Sequence, residues 1–362
     1  LQKYKLKKKY YRLKDGSYIN LKENDTLKFL DNINLDMENG YTNLKDGVIT
    51  LQSYRSLYLE RCLKNLNNVE INKDESYKTM VDSLHTNQKN VEISVPDNLN
   101  ADLRTYQKIG YQWLKTLDKY EFGGILADDM GLGKTVQIIA FLEYQRIEKG
   151  GKALLILPTS LIGNWEKEIE KFAPELPYQI LHKSIAKNSD GMKINEDKFL
   201  YITTYKMVSK IEDLKTRKWN YMILDEAQAI KNPGTKQTKE IKSIKAKVRI
   251  AMTGTPIENR LGDLWSLFDF LNPGLLGSPK EFSDFANGLK DDLKGYAKLR
   301  KIISPFILRR LKTDKSIISD LPEKIEVKAY TSLSKKQIAL YKELIKKIED
   351  SLEDKEGIDR KG

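Results

Sequence analysis

The chain has 362 residues, enough to bury a substantial core in about two or three structural units. Charged residues make up 31%, and no apolar run approaches the ~20 residues needed to cross a bilayer, which excludes a membrane span and a membrane partner. The net charge of +12 suits a nucleic-acid partner, but a Lys-rich chain with many Asn and Ile also follows from genome base composition, so charge alone leaves both readings open.

The N-terminal stretch LQKYKLKKKYYRL lacks the apolar segment and cleavage site of a secretory signal, and it has no initiator Met, which suggests a piece cut from a longer protein. Its cluster Lys3 to Lys14 can touch nucleic acid, although a solvated strand face is the commoner reason for such a run. Residues 1–98 read as a small α+β accessory module. Asp15-Gly16 and Asp46-Gly47 are hairpin turns between short strands, and helices are expected over 25–33 and 51–66. Cys62 is a packing thiol; one cysteine makes no intramolecular disulfide, and with only His85 and His182 it makes no structural zinc site, so the expected compartment is the cytoplasm.

Residues 86–100, polar and containing Pro96, read as a linker or edge strand. LRTYQKIGYQWL then has helical spacing, predicted to bury Leu103, Ile109, Trp113 and Leu114. Arg104 and Gln107 fit that packing role less well. They lie just ahead of the next motif, where a side-chain amide can read an adenine.

GGILADDMGLGKTVQII is that motif: an apolar strand from Gly123 to Ala127, a glycine-bearing loop, and a helix from Lys134 running toward Gly150-Gly151. Asp128, Asp129, Met130, Gly131, Leu132 and Gly133 form the loop. Its backbone amides and the new helix's positive end can cradle a polyphosphate, so ATP is the expected ligand. Lys134 adds a positive charge, and Thr135 adds a hydroxyl for Mg2+. Asp128 stands where the usual pattern has glycine.

ALLILP reads as a central parallel strand and LIGNWEKEIEKF as a helix ending before Pro174. YQILH, FLYITTY, YMILDEA and VRIAMTG are further strands, so the pattern is α/β, with ligands expected at the strands' carboxyl ends. There YMILDEAQ presents Asp225, suited to hold Mg2+ opposite Thr135, and Glu226, suited to orient and deprotonate a water attacking the γ-phosphate. MTGTPIEN places Thr253, Gly254 and Thr255 at another strand end, the two hydroxyls within expected reach of those carboxylates.

Together these residues resemble the SWI/SNF-type helicase-like ATPases, double-stranded-DNA translocases of helicase superfamily two, here as a bacterial member. The resemblance runs from about Leu103 to the end through LRTYQ, DDMGLGKT, LPTSLIGNWEKEIEKF, ITTY, DEAQAIKN, MTGTPIENRLGDLWSLFDFLNP, FILRRLKTD and LPEK. It makes Asp128 an ordinary residue. It implies a RecA-like parallel sheet with flanking helices over 99–275, followed over 276–362 by a linker and a helical protrusion from Lys335 to Leu352.

It further implies that Gln107 contacts adenine, that Lys134 and Thr135 contact phosphates and Mg2+, and that Asp225 and Glu226 serve hydrolysis. Thr159, Ser160, Thr203 and Thr204 would touch the backbone of double-stranded DNA, while Gln228 and Thr253 would couple the two sites. Arg309 and Arg310 are expected to brace the linker rather than act as arginine fingers. The family's second lobe and its arginines are not seen before Gly362, so the piece is expected to bind nucleotide weakly and hydrolyse it poorly. The implied setting is a nucleoid-associated monomer acting on DNA, with a bound complex such as RNA polymerase among the conceivable targets. A strand-separating helicase and a non-hydrolysing scaffold are the alternatives.

Overall fold

The computed structural model describes residues 10–12, 16, 18–20, 42–45, 48–51, 53–55, 72–85, 93–182, 194–254, 261–288, 293–314 and 332–353. Both expected hairpins are present. β1 (Tyr10–Arg12) pairs antiparallel with β2 (Tyr18–Asn20), and Gly16 supplies a φ of 90° between them. β3 (Thr42–Lys45) pairs antiparallel with β4 (Val48–Leu51), Lys45 opposite Val48 across Asp46-Gly47.

The helix expected over 25–33 lies outside the described residues. That expected over 51–66 is not an α-helix where it is described: Leu51 ends β4, and Ser53–Arg55 form one 3-10 turn. That turn buries Tyr54, whose hydroxyl donates to Pro273 O at 2.6 Å, and so fastens the N-terminal residues to the larger fold. α1 (Glu75–His85) follows, its first turn capped by Asp74, which accepts from the Tyr77 amide at 2.6 Å. Residues 93–96 join no strand, so the described part of 86–100 is a linker.

α2 (Thr105–Lys119) is the predicted helix with a corrected phase. Its buried stripe is Tyr106, Gly110, Tyr111, Leu114 and Leu117, whereas Ile109 is 39% exposed. Gly110 takes the inward position next to Gln137, where a Cβ would collide with the Gln137 side chain, and the neighbouring Ile109 lies partly exposed.

The principal remaining elements mostly alternate between strand and helix, with a short helical turn at Asp213–Thr216 ahead of the strand from Lys218. They are β5 (Gly124–Leu126), α3 (Lys134–Glu148), β6 (Ala153–Leu157), α4 (Ile162–Phe172), β7 (Tyr178–Leu181), β8 (Leu200–Thr204) and β9 (Lys218–Leu224). Next come α5 (Lys236–Ser243), β10 (Lys245–Met252), α6 (Leu261–Leu271), α7 (Pro279–Gly288), α8 (Leu293–Ile303) and β11 (Ile307–Leu308).

One seven-stranded sheet results, in the order β11-β5-β10-β9-β6-β8-β7, with every pairing parallel. Strand alternation divides the core between its faces. Leu154 and Ile156 of β6 join a cluster with α6 and α8, while Ala153, Leu155 and Leu157 join one with α2, α3 and α4. Covering both faces is what makes β6 apolar throughout.

The chain divides into two compact units, Leu1–Ser319 and Asp320–Gly362. The second contains α9 (Lys335–Glu353), where a helix was expected; Leu340, Tyr341 and Leu344 on it are exposed. Among the described residues no helix is long and apolar enough to cross a membrane.

Candidate functional site

The sheet order decides which motifs meet. Although β9 precedes β10 in sequence, β10 lies between β5 and β9, so Thr253 falls between the glycine-bearing loop after β5 and the carboxylates after β9. All three clusters leave the carboxyl ends of parallel strands, where an α/β sheet has its crevice.

Gly131 and Gly133 hold φ values of 82° and 75°, which any side chain would resist. Gly133 ends the loop as the N-cap of α3, and a Cβ there would strike the Gln107 amide. Gln107 itself is tied to both neighbours: its Oε1 accepts from the Arg104 amide at 2.9 Å, and its Nε2 donates to Leu132 O at 3.2 Å. Arg104 is exposed and Met130 is 73% exposed. Lys134 folds back onto the loop, its Nζ donating to Asp128 O at 2.6 Å and Asp129 O at 3.4 Å. Burial pulls the Lys134 pKa down, and the negative charges of Asp128, Asp225, Glu226 and Asp129 resist that pull. Thr135, half-buried, opens the first turn of α3.

Asp128 belongs to the loop only by its backbone. Its carboxylate is fully buried and bound by Arg310 through Nε at 2.8 Å and through Nη2, with Gln137 Nε2 at 3.3 Å. The Asp128 side chain is thus taken up by Arg310 and Gln137, and what the residue adds to the expected phosphate loop is its backbone.

Asp225 is 8% exposed. It accepts from Trp165 Nε1 at 2.7 Å and from the Glu226 amide at 2.9 Å. Burial raises its pKa; the Trp165 bond opposes this, and Glu226's charge adds to it. Glu226 holds a φ of 52°, a strained conformation for a non-glycine residue costing about 1–3 kcal/mol. Its Oε2 accepts from Gln228 Nε2 at 2.6 Å, and Gln228 Oε1 accepts from Thr253 Oγ1 at 3.1 Å. Thr253 thus reaches the carboxylate through Gln228 rather than by the direct bond expected from sequence. Gly254 is described beside it, and Thr255 lies outside the described residues.

Of the four expected DNA-contact residues, Thr159 and Ser160 are exposed on a 3-10 turn after β6. Thr203 and Thr204 are not. Thr203 is fully buried with Oγ1 donating to Leu181 O at 2.9 Å, and Thr204 is 2% exposed. Both are corrected from backbone contacts to interior residues, because β8 is flanked by β6 and β7 and covered on both faces. Trp165 and Tyr205 are the residues sequence reading missed. Tyr205 donates to Asp225 O at 2.7 Å, and burial together with both carboxylates holds its hydroxyl protonated. Each lies within a motif already noted, WEKEIEKF and ITTY, where an indole or phenol needing a buried partner was the available signal.

Hard oxygen donors at Thr135 and Asp225 fit Mg2+, which takes one or two protein ligands and completes its shell with phosphate and water. Each Asp225 oxygen has one recorded neutral N–H donor and retains acceptor capacity.

The SNF2-related domain matches residues 106–361, and the bacterial SNF2 helicase associated domain matches residues 1–96. The chain is 37% identical over 302 residues to YwqA of Bacillus subtilis, covering 81% of this chain and 32% of YwqA. It is 40% identical over 266 residues to the uncharacterized ATP-dependent helicase MG018 of Mycoplasma genitalium, covering 73% and 26%. It therefore spans a third or less of the length of these relatives. Among solved structures, the Sulfolobus solfataricus SWI2/SNF2 ATPase core in complex with dsDNA is similar at 46% identity and a TM-score of 0.60, covering 75% of this chain and 58% of that one.

Proposed function

The chain belongs to the SNF2-related family, and from that premise we propose that it forms the ATP-binding lobe of a motor that hydrolyses ATP to move along double-stranded DNA. The observation that carries the reading is the convergence, on the adjacent strands β5, β10 and β9, of a phosphate loop, a threonine-glutamine relay and a paired carboxylate. Residues 1–98 are read as an accessory module, 99–275 as the ATP-binding lobe, and 276–362 as a linker and helical protrusion.

In this reading the glycine-bearing half of the loop receives the phosphates by its amides, and Lys134 exchanges its loop carbonyls for phosphate oxygens. Thr135 and Asp225 would hold Mg2+, which, when bound, offsets charge on the outer phosphates. Glu226 orients the attacking water and takes its proton. Gln228 fixes the Glu226 carboxylate and carries its position to Thr253. Thr159 and Ser160 offer hydroxyls to a DNA backbone, a contact that does not depend on base sequence.

The test has two arms. Lys134→Ala should abolish Mg-ATP binding, and Glu226→Gln should preserve it while lowering turnover by about 10²–10⁴-fold. Duplex DNA, single-stranded DNA and RNA of equal length, compared for binding and for ATPase stimulation, should rank the duplex first. Equal binding by Lys134→Ala or a preference for single strands would sink the proposal.

A further inference from the structure

The edge of the sheet continues past its last strand pair. Ile307 and Leu308 of β11 pair with Ile125 and Leu126 of β5, and the two segments then stay bonded as far as Asp129 at the start of the phosphate loop. The Ala127 amide donates to Leu308 O at 2.7 Å, and the Asp129 amide to Arg310 O at 3.0 Å. In return the Arg310 amide donates to Asp128 Oδ1 at 3.1 Å, and the Lys312 amide to Asp129 Oδ2 at 3.0 Å.

Side chains reinforce the ladder. Arg310, 5% exposed, grips Asp128, donates to Gln137 Oε1 at 2.7 Å and to Tyr106 O, and lies over the Tyr106 ring with its centre 5.2 Å from the centroid. It therefore joins α2, the phosphate loop and α3 at one point. Upstream, Trp113 Nε1 holds Pro305 O at 3.1 Å. Downstream, a Cβ on Gly131 would lie 3.0 Å from Lys312 Nζ, so the lysine reaches the glycine-bearing half of the loop as well.

We infer that the strap 307–312 is a structural half of the nucleotide site, with Arg310 as a positioning residue that holds the loop in its phosphate-receiving form. The inference rests on the ATP-site reading above. The mechanism is a division of the loop. The Ala127 and Asp129 amides go to the strap, so the start of the loop is held as an extension of the sheet, which leaves phosphate binding to the half containing Gly131 and Gly133. A loop that must be in one conformation to bind is paid for in affinity whenever it leaves it, so strap docking and nucleotide binding are thermodynamically linked, and the linkage acts in both directions. A buried Arg-Asp pair placed only for stability would show no such response.

The experiment uses the whole chain. Hydrogen exchange at the amides of Ala127, Asp129, Arg310 and Lys312 is measured with and without saturating Mg-ATP, alongside titration with a fluorescent ATP analogue. Expected are slower exchange at the Arg310 and Lys312 amides with nucleotide, and about 5- to 150-fold weaker binding by Arg310→Ala, partly restored in Arg310→Lys. Lys312→Pro deletes the backbone donor at an exposed position and leaves Arg310 in place, so it supplies the binding measurement even where Arg310→Ala does not fold; it should bind more weakly than Lys312→Ala, which removes the same side chain but keeps the amide. Nucleotide binding by the wild-type chain with unchanged exchange in the strap, or with Lys312→Pro binding no more weakly than Lys312→Ala, overturns the inference and spares the ATP site. A wild-type chain that binds no nucleotide overturns both.

Discussion

Asp128 and Asp225 follow two strands of one sheet with β10 between them, and both are buried, at 0% and 8% exposure. Their partners differ in kind. Asp128 meets a guanidinium at two points, the Gln137 amide at a third and the Arg310 backbone amide at a fourth, a full countercharge with directed hydrogen bonds. Asp225 meets an indole N–H and a backbone amide, both neutral, and burial raises its pKa. The first carboxylate is neutralised by a guanidinium in direct contact and anchors the loop; the second has no cation among its described hydrogen-bond donors, feels Lys134 only through its charge, and has a raised pKa despite it, which suits a group that would take a cation. Similar burial thus produces an anchor in one place and, in the proposed reading, a cation-binding carboxylate in the other.

The largest test of this contrast is stability. Asp128→Ala strands Arg310 in the interior, and breaking a buried pair in this way costs about 3–5 kcal/mol. Asp225→Asn removes a charge that the fold does not neutralise while keeping an acceptor for Trp165, so it should leave stability within about 1 kcal/mol of wild type or raise it. Urea unfolding of both variants measures the difference. Equal losses would erase the distinction between the two carboxylates.

A smaller effect is expected with pH. Because burial lifts the Asp225 pKa above 3.8, the folded state holds this proton more tightly than the unfolded chain does. Its contribution to stability is therefore full below the unfolded pKa and is lost as pH rises through the folded one. In the proposed site Mg-ATP binding needs the ionised form and so follows the opposite trend. Affinity should fall about tenfold per pH unit below a midpoint above 3.8, and Asp225→Asn should flatten that limb of the profile. A midpoint at or below the ordinary aspartate value would show that the carboxylate is not held short of charge.

The two carboxylates differed in how far sequence could reach them. The places of Asp225, Glu226, Lys134 and Thr135 at the ends of a strand and a helix were legible because each motif is a local pattern of an apolar strand followed by a few polar residues. Asp128 could be located but not understood, since its partner Arg310 stands 182 positions away and only β11 joining the sheet beside β5 brings them together. The same limit accounts for the relay: β10 inserts between β5 and β9, and strand order is not written in any one strand. Thr203 and Thr204 were misplaced because a strand covered on both faces has no outward side, and hydroxyls in FLYITTY look alike whether buried or exposed. Ile109 was misplaced by one helical position, because Gly110, without a side chain to count, is the residue that faces the core.

The finest test concerns the one strong donor that Asp225 has. Trp165 is 1% exposed and its Nε1 bond of 2.7 Å is the largest influence favouring the ionised carboxylate. Trp165→Phe keeps an aromatic ring in the interior but deletes that donor. The carboxylate should then protonate at higher pH, moving the acid limb of Mg-ATP binding upward by about half a unit to one unit, roughly 0.7–1.4 kcal/mol. The smaller ring also loses packing, and that loss lowers stability at every pH alike. Only the change at the carboxylate moves the midpoint, so the midpoint separates the two effects within one variant. In the background of Asp225→Asn the same substitution should lose packing and shift nothing. A midpoint that stays in place in Trp165→Phe would mean that the indole supports the strand end by packing alone.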